Sequence, residues 1–196
     1  MVDRFELGRE FFAQLEQEDE KIARKVAAGG CQVCERGALH RSDYSRKPRG
    51  GLIAPEGEGS VTRFSLCCDL EGCRKRATPP SLRFLGRRVY LGAVVVVASM
   101  FARMIASATE LRQVTGVPVR TTRRWLGWWG GPFVSTSVFV AVCARLIGVA
   151  VAELPASIVL RLPGSPTEQV GVMLALLAPL TTSTVRDGAR FLRGAP

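Results

Sequence analysis

Five of the six cysteines stand in two tight groups, Cys31-x2-Cys34 and Cys67-Cys68-x4-Cys73. No other feature limits the fold of this chain as strongly. A CxxC turn aims two sulfurs at one point, and a second cysteine turn completes a tetrahedron of thiolates around a metal such as zinc. The 33 residues between Cys34 and Cys68 hold two β-like runs, Ala38–Tyr44 and Ser60–Cys68, around the glycine-rich loop Arg49-Gly50-Gly51 and Pro55–Gly59. That is the order of a zinc ribbon, expected over residues 28–78. So loop-rich a segment has few apolar residues with which to fold alone. A bound Zn2+ supplies roughly 10 kcal/mol in such modules, so one structural zinc per chain is expected.

Strand alternation selects the ligands. Phe64, Leu66 and Cys68 share one face of their run, and the apolar face turns inward with the metal. The expected set is Cys31, Cys34, Cys68 and Cys73. Cys67 and His40, the only histidine, remain as alternates. Cys143 lies in an apolar stretch and reads as a small buried hydrophobe. The first 25 residues are rich in acids and show no basic start followed by an apolar stretch. A cytoplasmic location is therefore expected, where cysteines stay reduced and clusters of them hold metal.

The 27 Lys and Arg against 17 Asp and Glu leave a net charge of +10, which favours polyanionic partners. Residues 31–90 carry +6 of it and residues 91–130 carry +4, whereas residues 1–30 carry −2. Arg41, Arg46, Lys47 and Arg49 follow the first cysteine pair, and Arg74, Lys75 and Arg76 follow the second. These seven are the expected phosphate contacts.

The flanking segments read as helices. Phe5, Phe12, Leu15, Ile22 and Val26 recur at helical spacing, so an amphipathic helix is expected over about residues 3–27, stopped by Gly29 and Gly30. Its acidic outer face suits a lid or a pairing helix. From residue 80 to 196 the pattern is mainly helical. Val89–Ala102 is an uncharged run of 14 residues, about 21 Å as a helix. It is too short for the ~30 Å core of a bilayer, so it reads as a core helix continuing to about Ala106. The expected fold class is α+β: a small β zinc ribbon followed by a mainly α-helical domain.

A helix-turn-helix order is legible at residues 108–129. A first helix ends near Thr115, Gly116 permits a left-handed turn, and Pro118 opens the next helix. That second helix presents Arg120, Thr121, Arg123 and Arg124, with Trp125 turned to the core. Such a helix suits the major groove of DNA. Gly127, Gly130 and Gly131 are expected to break it early.

The cysteine turns with Leu39–Gly50, Arg63–Cys68 and Gly72–Arg76, then Thr78–Tyr90 and Thr121–Trp129, carry a resemblance. They are similar to short uncharacterised bacterial zinc-ribbon proteins resembling the zinc-ribbon plus helix-turn-helix N-terminal regions of insertion-element transposases. The likeness covers most of residues 25–130 and, weakly, the tail around Pro179–Arg193. It departs from that pattern at Pro118, where a Ser or Thr cap is usual. It implies DNA binding in a mobile-element setting, with a transposase or another protein as a further partner.

No catalytic motif accompanies it. After residue 90 the acids are Glu110, Glu153, Glu168 and Asp187, with no motif around them. There is no GxxxxGK[ST] phosphate loop either. The expectation is a non-enzyme. Two rival readings stand beside DNA binding. Trp125–Ala144 is uncharged over 20 residues, long enough for a membrane span, so one or two spans within residues 89–152 form one rival. A zinc-ribbon adaptor that docks protein partners is the other.

Overall fold

The computed structural model describes residues 7–46, 48, 61–86 and 89–185. Helix α1 covers Arg9–Ala28 and buries Phe11, Phe12, Leu15, Ile22 and Val26 along one face. Its expected first turn falls outside the described residues. The buried face also carries a carboxylate, Asp19, 1% exposed.

The two β-like runs each divide in two. The first holds strand β1 (Leu39–Arg41) and only the first residue of β2 (Tyr44–Arg46), which runs past its expected end; the second holds β3 (Val61–Arg63) and β4 (Leu66–Cys68), and β5 (Arg76–Ala77) follows. All pairings are antiparallel: β1–β4–β5 form one sheet and β2–β3 another. Leu39 lies opposite Cys68 and Tyr44 opposite Arg63. The breaks face each other. Asp43 Oδ1 accepts the Ser65 N–H at 2.9 Å, while the Ser42 N–H donates to the Ser65 carbonyl. A side chain replaces a rung of the ladder, and the ribbon bends there.

Helix α2 (Gly92–Met104) is the centre of the molecule; every residue from Gly92 to Phe101 is buried. It packs against α3 (Ala108–Thr115), α4 (Val119–Trp128) and α7 (Pro166–Leu177). Each buried valine of Val94–Val97 contributes on the order of 1.5 kcal/mol. The helix stops at Met104, short of Ala106, because Ser107 caps α3 by accepting the Glu110 N–H. Gly116 closes α3 in the left-handed region, at φ 65°, where a Cβ would be strained.

Gly127, Gly130 and Gly131 do not break the helical stretch: Gly127 lies inside α4 and the other two in the turn that follows. The chain continues from Trp128 into a π-helical turn, Trp129–Phe133, with Pro132 inside it. Trp129 and Phe133 are both fully buried, their ring centroids 4.9 Å apart. Burying two large aromatics yields roughly 1.5–3 kcal/mol each, which outweighs about 1 kcal/mol per helical glycine.

Helices α5 (Ser137–Cys143) and α6 (Ala156–Val159) complete the α-helices of the described residues. Cys143 is exposed rather than buried. Val142 is the residue that α5 buries, and Cys143, about 100° further round the helix, falls on the outer side. Buried residues of α1, the β-rich segment and the helices belong to one contiguous core that includes Leu39, Leu66, Val94 and Leu174. Among the described residues no single helix is long and apolar enough to cross a membrane. Val119–Phe133 with Ser137–Cys143 passes only as a pair bent by 81°.

Candidate metal centre

Cys31, Cys34, Cys68 and Cys73 converge, their sulfurs all within 4.8 Å of one another. Cys31 Sγ and Cys73 Sγ are 3.7 Å apart, as are Cys34 Sγ and Cys68 Sγ. Four thiolates about 2.3 Å from one tetrahedral ion have sulfurs about 3.8 Å apart, so this quartet could hold one metal ion.

Local backbone geometry builds the quartet. Cys31 and Cys34 lie on the turn between α1 and β1, closed by the Cys31 N–H donating to the Gly37 carbonyl at 3.0 Å. Cys68 ends β4, and Cys73 lies on the turn into β5, where the Cys73 N–H donates to the Leu70 carbonyl. In each turn the residue after the outgoing cysteine is left-handed: Glu35 at φ 59° and Arg74 at φ 44°. That twist turns following amides back toward sulfur.

The Gly37 N–H donates to Cys34 Sγ at 3.4 Å. The Arg36 and Gly37 amides bring the Cys34 thiol down to about 6. Burial pushes Cys68 up to about 12. At Cys73 the Lys75 amide pulls downward, but burial and the Cys34 sulfur leave the thiol raised. The lowered Cys34 thiol thus sits beside two raised ones, Cys68 and Cys73.

The alternates are not part of the cluster. Cys67 turns to the other face of β4, with its Sγ donating to the Arg74 carbonyl. His40 is exposed and sits 3.3 Å from Asp69 Oδ2. The site also requires a glycine at position 37, which the spacing of the cysteines does not reveal. A Cβ there would collide with Cys68 Sγ.

The basic residues have diverse fates. Arg41 is held by Glu20 at 3.0 Å and Asp43 at 2.8 Å, and lies over the Phe64 ring. Arg46 donates to the Gly86 carbonyl, and Arg76 donates to Ser42 and Ser65. Arg74 and Lys75 are exposed. Lys47 and Arg49 lie outside the described residues. On α4, Thr122 and Trp125 face inward, and Trp125 packs edge-on against Tyr90 at 5.0 Å. Arg120, Arg123 and Arg124 are exposed, with Thr121 half-buried beside them. None of these three arginines is paired with a carboxylate among the described residues.

A further buried cluster joins residues far apart in the sequence, with no local pattern to mark it. Asp19 accepts from the Ser81 hydroxyl at 2.6 Å, the Leu82 N–H at 2.6 Å and Arg83 Nε at 2.9 Å. Arg83, 3% exposed, also meets Glu16 at 3.0 Å. The pair fastens α1 to the segment leading into α2. Compared with known protein families, curated proteins and solved structures, the chain matches none of them.

Proposed function

We propose that this is a non-catalytic DNA-binding protein whose basic surface is organised by a structural zinc. The donor set supports zinc: four cysteine sulfurs within 4.8 Å of one another, two pairs of them 3.7 Å apart, with no carboxylate or imidazole among them. Four protein ligands leave no open position for a reacting water, which favours a structural ion over a catalytic one. The two cysteine turns with β1, β4 and β5 correspond to a zinc ribbon.

The observation that carries DNA binding is the face of α4. Arg120, Arg123 and Arg124 recur at i, i+3 and i+4, exposed on the side opposite Thr122 and Trp125. The left-handed turn at Gly116 delivers the helix, so α3 and α4 read as a helix-turn-helix with α4 in the major groove. Arg74 and Lys75 add exposed basic groups beside the metal centre. The resemblance to transposase N-terminal regions favours a cytoplasmic, mobile-element setting, with a transposase as a protein partner.

DNA binding by the full chain across a salt series, with and without a strong chelator, tests this. Affinity is expected to fall steeply with salt, with a slope near −0.9 per phosphate contacted, and to vanish on chelation. No binding at low salt overturns the reading.

A second reading rests on a different surface. Ile147 is 95% exposed, and Val140 and Leu160 are each 64% exposed. The adaptor reading would use these exposed apolar side chains as contacts for a protein partner. Binding to such a partner that is insensitive to salt, with no DNA affinity, would replace the first reading by the adaptor.

A further inference from the structure

A cavity of about 680 Å3 opens between the bent ribbon and the segment after α7. It is lined by Tyr44, Arg46, Arg63, Arg76 and the hydroxyl-rich run Thr181–Thr184, among others. Its size falls in the range of small-molecule sites.

Arg63 marks it as more than a surface hollow. This residue is 1% exposed. Its Nη2 donates to the Pro79 carbonyl at 2.6 Å, while its buried Nη1 has no partner. A buried guanidinium with an idle N–H is costly, and native proteins rarely leave one so. Arg83, the other buried arginine among the described residues, has its charge met by Asp19 and Glu16. Arg63 has no carboxylate within ion-pair distance among the described residues.

The local field also calls for an anion. Arg46, Arg63 and Arg83 all crowd the Phe84 ring, with guanidinium carbons 5.5, 5.7 and 5.4 Å from its centroid. Burial pulls the Arg63 pKa below its ordinary value; Asp19 and Tyr44 offset this in part, and Arg83 and Arg46 add to it. Arg76 lies over Tyr44 at 5.9 Å and, among the described residues, donates only to neutral oxygens, those of Ser42 and Ser65.

We infer that this cavity binds the phosphate of a nucleotide-sized ligand, held by Arg63, Arg46 and Arg76 beside the Thr182–Thr184 hydroxyls. A tetrahedral dianion offers several acceptor oxygens, which suits converging guanidinium forks. The bound group is either a free nucleotide or the phosphorylated end of a nucleic-acid strand. The inference goes beyond the groove-binding proposed for α4, because no residue of α4 lines the cavity.

Calorimetric titration of the metal-loaded full chain with inorganic phosphate and a nucleoside 5′-monophosphate tests it. Saturable binding at one site per chain is expected. Ser183→Glu, at an exposed position on the rim, places a carboxylate in the cavity and is expected to weaken binding at least tenfold without unfolding the protein. Arg63→Met is expected to do the same where it folds. A 5′-phosphorylated oligonucleotide that competes better than its unphosphorylated twin and than the mononucleotide identifies a strand end. The reverse order identifies a free nucleotide.

No saturable binding to the folded wild type, or binding unchanged in Ser183→Glu, overturns the inference. Arg123→Ala with Arg124→Ala is expected to leave phosphate binding intact. Failure of the cavity and failure of the α4 reading are thus distinguishable.

Discussion

Gly37 and Cys68 meet across the candidate metal centre so closely that no side chain fits between them. A Cβ on Gly37 would strike Cys68 Sγ, and it would lie 3.1 Å from Asp69 Oδ1 and from Leu70 Cβ. The glycine also donates its N–H to Cys34 Sγ and its carbonyl accepts from Cys31. One residue thus touches the backbone or sulfur of three candidate ligands.

Gly37→Ala is therefore expected to weaken metal retention at least tenfold, measured by competition with a chromogenic chelator. Gly127→Ala is the control. Nothing lies within 4 Å of its added Cβ, so metal retention is expected to be unchanged. Alanine at that helical position is expected to add up to about 1 kcal/mol of stability.

Elemental analysis of cysteine variants separates ligands from bystanders. Cys34→Ser is expected to lose the metal and, with it, the order of both cysteine turns. Cys67→Ser is expected to keep one metal per chain, because its sulfur faces the Arg74 carbonyl. Loss of metal in the second variant with retention in the first would reverse the assignment.

Arg123→Ala with Arg124→Ala is expected to weaken DNA binding and reduce the magnitude of the salt slope by about two. The metal content should not change. Equal affinity at equal salt would remove α4 from the interface.

The buried pair that fastens α1 is expected to be expensive to break. Asp19→Ala leaves Arg83 buried with its principal partner gone. Urea denaturation is expected to show a loss of roughly 3–5 kcal/mol. Asp19→Leu with Arg83→Met removes both charges and is expected to lose less than the single variant, provided that packing is kept.

Helix α7 supplies a pH test. Glu168 reaches back to the Ser165 N–H at 2.7 Å, and that bond holds its carboxyl below the usual range. A carboxylate lowered on folding stabilises the protein above its unfolded-state pKa and loses that contribution as pH falls through the folded value. The acid limb of thermal stability is expected to be shallower in Glu168→Gln than in the wild type.

Much of this was legible from spacing alone. The choice of Cys68 over Cys67 followed from alternation along Phe64–Cys68, because a strand sends neighbouring side chains to opposite faces whatever packs on them. The buried run in α2, the end of α3 at Thr115 and the turn at Gly116 are likewise local matters of hydropathy and backbone freedom. So was the inward turn of Trp125. These features depend on residues a few positions apart, and the chain carries them wherever it folds.

Tertiary structure decided the rest. Gly127 and Gly130 read as helix breakers until the burial of Trp129 and Phe133 outweighed them. Cys143 reads as core until α5 commits Val142 to that face. Arg41 and Arg63 look alike as basic strand residues, yet packing gave Arg41 two carboxylates and gave Arg63 an idle N–H on a cavity wall. Asp19 belongs to an acidic helix face by composition and to a buried ion pair with Arg83 by contact. In each case the deciding partner lies far along the chain, and its free energy comes from desolvation, which exists only once the distant segments have closed around the group.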